Sequence, residues 1–197
     1  MKILALTTIN NTLSLKEALG KLKKNYGEII HLKKVYLDDY ENPKISLDEV
    51  KVWIQESDVI LVDIRGDLRL GRELPSLIGD SEKTVAVLVW GGEDLLSVLS
   101  MGSFYGKDVI PLFKENGMDF DKIVRSRNLE ELDKANKFLN KDVLDDIHNW
   151  IQILDYYGQN DAENLKNMFL FLIKNYSDEF KDLRIDENEK EKKKKKK

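Results

Sequence analysis

The sequence predicts an α/β fold: a parallel sheet of about four strands in residues 1–100, followed by a mainly helical C-terminal part. Three observations predict it. The run Val59-Ile60-Leu61-Val62, with Ile64 just beyond Asp63, is apolar without alternation; strands of this kind belong to parallel sheets, whose crossover helices bury both faces. Strand-like and helix-like segments alternate through those first residues, the pattern of a doubly wound sheet of the flavodoxin or Rossmann type. After Gly106 no strand is convincing and helical periodicity takes over.

Taken in order, Ile3–Ile9 reads as the first strand, and Asn11 or Thr12 is placed to cap a helix from about Leu13. That helix sets Leu15, Ala18, Leu19 and Leu22 on one face and ends at Gly27. Ile29–Tyr36 alternates only in part, as a strand near an edge does. Ser46 and Glu49 have the spacing of a capping box, and Val50, Trp53 and Ile54 give the helix behind them its apolar side. Asp58–Ile64 is the third strand, and Thr84–Trp90 is the fourth, ending at Gly91-Gly92. Val143, Ile147, Trp150, Ile151, Leu154 and Tyr157 mark one amphipathic helix, and Leu165, Met168, Phe169, Leu172, Ile173 and Tyr176 mark another, with a turn at Gly158–Asp161. The expected division is therefore 1–106 for the sheet domain, 107–182 for a helical part packed on or beside it, and 183–197 for a disordered Lys-rich tail.

Composition narrows the function. The formal net charge is −4, but residues 190–197 hold seven lysines and one glutamate, so residues 1–189 alone carry −10. An acidic body of this kind lacks the basic stripe of a nucleic-acid-binding surface. With no cysteine, disulfides and thiolate chemistry are excluded. No long apolar segment predicts a signal peptide or a membrane span. A cytoplasmic protein is expected.

Motifs that invite chemistry mostly fail on spacing. Gly91-Gly92-Glu93-Asp94 opens a helix after a strand, yet it lacks the third glycine of a dinucleotide fingerprint, and its two carboxylates suit the helix end themselves. In Met101-Gly102-Ser103-Phe104-Tyr105-Gly106 the glycines stand one before and three after the serine, not two and two as in a nucleophile elbow. His31 and His148 have no ligand-spaced partners, and Asp38-Asp39 follows the wrong strand for a receiver's acidic pair. No catalytic residue and no metal ligand is assigned. The segment that remains is Arg65-Gly66-Asp67-Leu68-Arg69, at the carboxyl end of the third strand. Open α/β sheets place their ligands there, and arginine forks suit carboxylates. The competing reading is an ion-pair network of Arg65, Asp67, Arg69, Arg72 and Glu73.

Four segments, in order, resemble the N-terminal region of the CobN/magnesium-chelatase H family, the large subunits of tetrapyrrole metal chelatases, and most closely its archaeal members. They are Met1–Thr8, Asp58–Asp67, Met101–Phe104 and Asn164–Tyr176. The resemblance implies a role in ATP-dependent insertion of cobalt or magnesium into a tetrapyrrole, in cobalamin biosynthesis for the cobalt enzymes. The tetrapyrrole, the metal and ATP then belong to the full complex and no cofactor to this chain. Its partners would be other chelatase subunits or the remainder of the large subunit. On the same resemblance the chain is expected to be a truncated or split copy, inactive on its own. Arg65, Gly66, Asp67, Arg69, Gly102 and Ser103 are the ligand-binding candidates. The alternative is a stand-alone, non-catalytic binding or scaffold module.

Overall fold

The computed structural model describes residues 1–41, 44–66, 69–79, 81, 83–89 and 93–180. Chain order begins β1 (Lys2–Thr7), α1 (Thr12–Tyr26), β2 (His31–Tyr36), α2 (Leu37–Glu41), α3 (Leu47–Glu56), β3 (Val59–Asp63), α4 (Arg69–Ile78) and β4 (Thr84–Val87). All five residues of β3 are buried, because β1 and β4 flank it and helices cover both faces. In β2 His31 and Lys33 are exposed, as befits the strand at the open edge.

Local signals place the helices. Ser46 and Glu49 form the capping box at the start of α3: Glu49 N–H donates to Ser46 Oγ at 3.2 Å, and Ser46 N–H donates to Glu49 Oε2 at 2.8 Å. Gly27 ends α1 with a φ of +78°, which L side chains rarely adopt. Asn11 stands at the N-cap position of α1, but its side chain does not cap the helix. Asn10 Oδ1 accepts the Thr12 N–H instead, at 3.3 Å.

The sheet has six strands rather than about four, in the order β2-β1-β3-β4-β5-β6. The first four are parallel. After α5 (Glu93–Ser97), β5 (Ser100–Met101) pairs antiparallel with β4, and β6 (Phe104–Tyr105) folds back on it. Two-residue strands are too short to show a period, so nothing in the pattern announces this hairpin. β4 ends at Val87, short of the Trp90 expected, which lies outside the described residues.

The rest is helical: α6 (Gly106–Glu115), α7 (Phe120–Ser126), α8 (Leu129–Asp133), a 3-10 turn at Lys134–Lys137, α9 (Lys141–Gln159) and α10 (Ala162–Tyr176). α9 and α10 lie on the sheet, and their apolar residues join those of β1, β3 and β4 in one hydrophobic cluster. Trp150 of α9 is wholly buried and donates its indole N–H to the Val87 carbonyl of β4 at 2.8 Å. Around it pack Phe104, at 5.9 Å between ring centres, and Phe120, stacked at 6.0 Å. No helix among the described residues is long and apolar enough to cross a membrane. The expected Lys-rich tail, 183–197, lies outside the described residues.

Candidate functional site

Strand order reverses at β1: the chain steps to β2 on one side and then to β3 on the other, and the carboxyl ends of all three parallel strands lie together. Thr7 is in register with Tyr36 on one side and Asp63 on the other. Crevices at such reversals are the usual ligand sites of open α/β sheets.

Asp63, the last residue of β3, is 1 % exposed. A buried carboxylate must be paired and hydrogen-bonded, and this one is. Arg65 donates from Nε to Oδ1 at 2.9 Å and from Nη2 to Oδ2 at 3.3 Å, and the Tyr157 hydroxyl of α9 donates to Oδ2 at 2.7 Å. The main chain is tied as well: the Asp63 carbonyl accepts from Thr8 N at 2.9 Å and from Thr8 Oγ1 at 3.1 Å. With both oxygens engaged, Asp63 is a positioning group rather than a free base. What it positions is the Arg65 guanidinium. That side chain is 56 % exposed, and its Nη1 makes no hydrogen bond among the described residues. Gly66 follows at a φ of +87° and turns the chain directly behind it. On the inner side of Asp63 lies a cavity of about 10 Å³, also lined by Thr7, Asn11 and Tyr157, room for one water at most. The open edge of Arg65 therefore faces solvent and not this cavity.

Burial, and after it the Asp63 carboxylate, push the Tyr157 phenol far above its ordinary value; burial and Asp146 do the same to Tyr176. The unfolded chain ionises its tyrosines near pH 10. In the raised interval the folded state holds the protons that the unfolded state has lost, so stability falls as pH rises. Urea midpoints are thus expected to hold steady below about pH 10 and to drop above it. Tyr157→Phe should cost about 1 kcal/mol at neutral pH and flatten the alkaline fall. A fall just as steep in the variant would sink this assignment.

Beside β1, Lys34 of β2 donates from Nζ to Asn11 Oδ1 at 3.0 Å and to Thr12 Oγ1 at 3.2 Å, with its ammonium 4.5 Å from the centre of the Tyr36 ring. Lys34 and Arg65 thus stand on either side of the β1–α1 turn.

The sequence candidates separate in space. Arg65 and Gly66 lie at the carboxyl end of β3, and Asp67 lies outside the described residues, as do Gly91 and Gly92. Arg69 opens α4 and faces Glu73 across 3.9 Å, one link of the expected ion-pair network; Arg65 turns to Asp63 instead. Gly102 and Ser103 form the β5–β6 turn. Because Ser100 pairs with Val85 and the strands run antiparallel, that turn sits at the amino end of β4, the opposite end of the sheet from Arg65. There Ser103 N–H donates to Asp146 Oδ2 at 2.6 Å, and the Tyr176 hydroxyl donates to Oδ1 at 2.8 Å. Gly102 has a φ of +55°, and a Cβ on it would come within 2.3 Å of Asp146 Oδ2. Gly102→Ala should therefore cost about 1–3 kcal/mol in urea unfolding while leaving any affinity at Arg65 unchanged; a joint loss would tie the two ends together. His31 is exposed on β2, and His148 Nε2 lies 2.8 Å from Asp133 Oδ1.

Two residues of the site belong to none of the sequence motifs. Asp63 is the one carboxylate in an otherwise apolar strand, with an arginine two positions on, which strand alternation brings to the same face. That pairing was a usable signal. Tyr157 carried none, since its position on the apolar stripe of α9 equally fits core packing.

No protein-family model matches the chain, and no curated protein matches it. The chelatase resemblance accordingly rests on the four segments that carry it.

Proposed function

We propose that the chain is a non-catalytic binding module of flavodoxin-like architecture that holds a small anionic ligand at the carboxyl end of its parallel sheet. The observation that carries this reading is the Arg65 guanidinium, fixed by a buried carboxylate on one edge and open to solvent on the other. A planar fork held in this way meets a carboxylate or phosphate with its orientation already set. The parallel strand order β2-β1-β3-β4, reversing at β1, supports the same place. The lack of cysteine fits a reducing, cytoplasmic setting.

Calorimetric titration with citrate and inorganic phosphate tests it. Arg65→Gln should weaken binding about tenfold to a hundredfold, the worth of a charged hydrogen bond; because it also takes the counter-ion from the buried Asp63 and lowers stability, the titration is run well below the melting temperature of the variant. Equal affinity in the variant would overturn the site.

A second, more specific reading follows from the resemblance: the chain serves as the N-terminal domain of a cobaltochelatase-like large subunit, with the tetrapyrrole and metal as substrates and ATP hydrolysis supplied by partner subunits. What favours it is that Asp58–Asp67, one of the segments that carry the resemblance, leads directly into Arg65 at the sheet's carboxyl end, where the peripheral carboxylates of a tetrapyrrole could be met. An Arg65-dependent change in the absorbance of a carboxylated tetrapyrrole would support it, and no change at saturating protein would leave the simpler module.

A further inference from the structure

Lys34 is a cation without a counter-ion. It is partly buried, its hydrogen bonds go to the neutral oxygens of Asn11 and Thr12, and no carboxylate pairs with it among the described residues. Burial alone acts on its titration, and it pulls the ammonium below its ordinary value. Taking an ammonium out of water without an opposite charge is costly. Charges buried far more deeply than Lys34 are matched: Asp63 by Arg65, and Lys166 by Glu163 at 2.7 Å.

A second group beside Lys34 is also unmet. The Tyr36 hydroxyl is buried and makes no hydrogen bond; Thr12 is near enough to influence it without reaching bonding geometry. Asp38, exposed at the start of α2, acts on Tyr36 from a distance. A buried hydroxyl left without a partner carries its own desolvation penalty. The Tyr36 hydroxyl is covered, with the exposed Thr12 side chain beside it; an oxyanion that displaced Thr12 would accept from both Lys34 Nζ and Tyr36 Oη and relieve the two deficits together.

We propose that Lys34 and Tyr36 form a second oxyanion subsite, so that the ligand held at Arg65 carries at least two anionic groups and spans the β1–α1 turn. This rests on the reading of Arg65 as the first grip. β2 and β3 lie two strand spacings apart, about 10 Å across the sheet, and Lys34 is level with Leu61, four residues before Arg65 along the strands, so the ligand must also bridge that offset. The ligand class is therefore an extended polyanion, such as a dicarboxylate chain or a molecule with two separated phosphates or carboxylates. Two grips on one rigid frame make the second contact intramolecular, and affinity rises without any stronger single contact.

The test is a calorimetric series on the full chain, with inorganic phosphate as the single anion and straight α,ω-dicarboxylates of increasing length as the double ones. The wild type should prefer the best dicarboxylate over phosphate by about tenfold or more, with an optimum length rather than a steady trend. Lys34→Gln should abolish that optimum while retaining Arg65-dependent phosphate binding, and Tyr36→Phe should reduce it. If phosphate binds through Arg65 but no dicarboxylate is preferred, or if the optimum survives in Lys34→Gln, the second subsite is refuted and the first stands. If no anion binds to the wild type, both readings fall. Circular dichroism melts of each variant separate lost binding from lost folding, and the conservative Lys34→Arg should regain the preference if charge at this position is what matters.

Discussion

Trp150→Ala is expected to destabilise the protein by about 4 kcal/mol, from a range of 3–5 kcal/mol for large aromatics cut to alanine in a core. Three losses combine. The indole is wholly buried between Phe104 and Phe120, so its removal leaves a cavity lined by rigid rings. Its N–H also serves the Val87 carbonyl at the end of β4, which would lose that donor. And α9 would lose this tie to β4 and keep the Tyr157–Asp63 bond to β3. Against a total stability of about 5–15 kcal/mol this is a large fraction, and in a chain of this size it lowers the melting temperature by roughly 8–16 °C. Trp150→Phe keeps much of the ring volume and loses the hydrogen bond, so it should cost about 1–2 kcal/mol. Urea unfolding followed by circular dichroism measures both. A loss below about 1 kcal/mol in the alanine variant would mean that the α9 contact matters little.

Asp63→Ala should cost about 2–3 kcal/mol, most of it from the Tyr157 hydroxyl left buried without an acceptor. Arg65 adds little, because its exposed guanidinium rehydrates. The effect of Asp63→Asn on anion binding is more informative, because two influences oppose each other. Removing a negative charge about 6 Å from a bound anion favours binding by roughly 0.7 kcal/mol in water-like surroundings. Releasing the arginine from its fixed rotamer disfavours binding by about 1.5–2 kcal/mol of side-chain entropy. The second is larger, so Asp63→Asn should bind citrate about fivefold more weakly. Tighter binding would show that Asp63 masks the arginine rather than orienting it.

Much of this arrangement was legible in the residues. β3 declared itself by unbroken burial, α3 by Ser46 and Glu49, and α9 and α10 by their apolar stripes, because each depends on contacts that recur at a fixed spacing along the chain. Arg65 was reachable for the same reason, standing where a parallel strand ends. The hairpin at Gly102-Ser103 was not, since two-residue strands have no period and their turn is held by Asp146 from a helix far along the chain. Nor was the convergence of Tyr157 on Asp63, or the two-sided setting of Lys34 and Arg65: long-range register decides both, and it leaves no mark on neighbouring residues. Gly102 and Ser103 looked like companions of Arg65 in sequence and lie at the other end of the sheet.

The unequal borders of the sheet bear on how the protein behaves at high concentration. Free strand edges are where β-proteins recruit copies of themselves into aggregates. On one border β6 offers only two residues, too few to template another strand. On the other β2 offers six, but Lys33 and Lys34 are among them, and a second copy approaching in the same way would bring like charges together. Growth by self-addition is thus checked on both sides, by shortness on one and by repulsion on the other, and the repulsion weakens as salt is added.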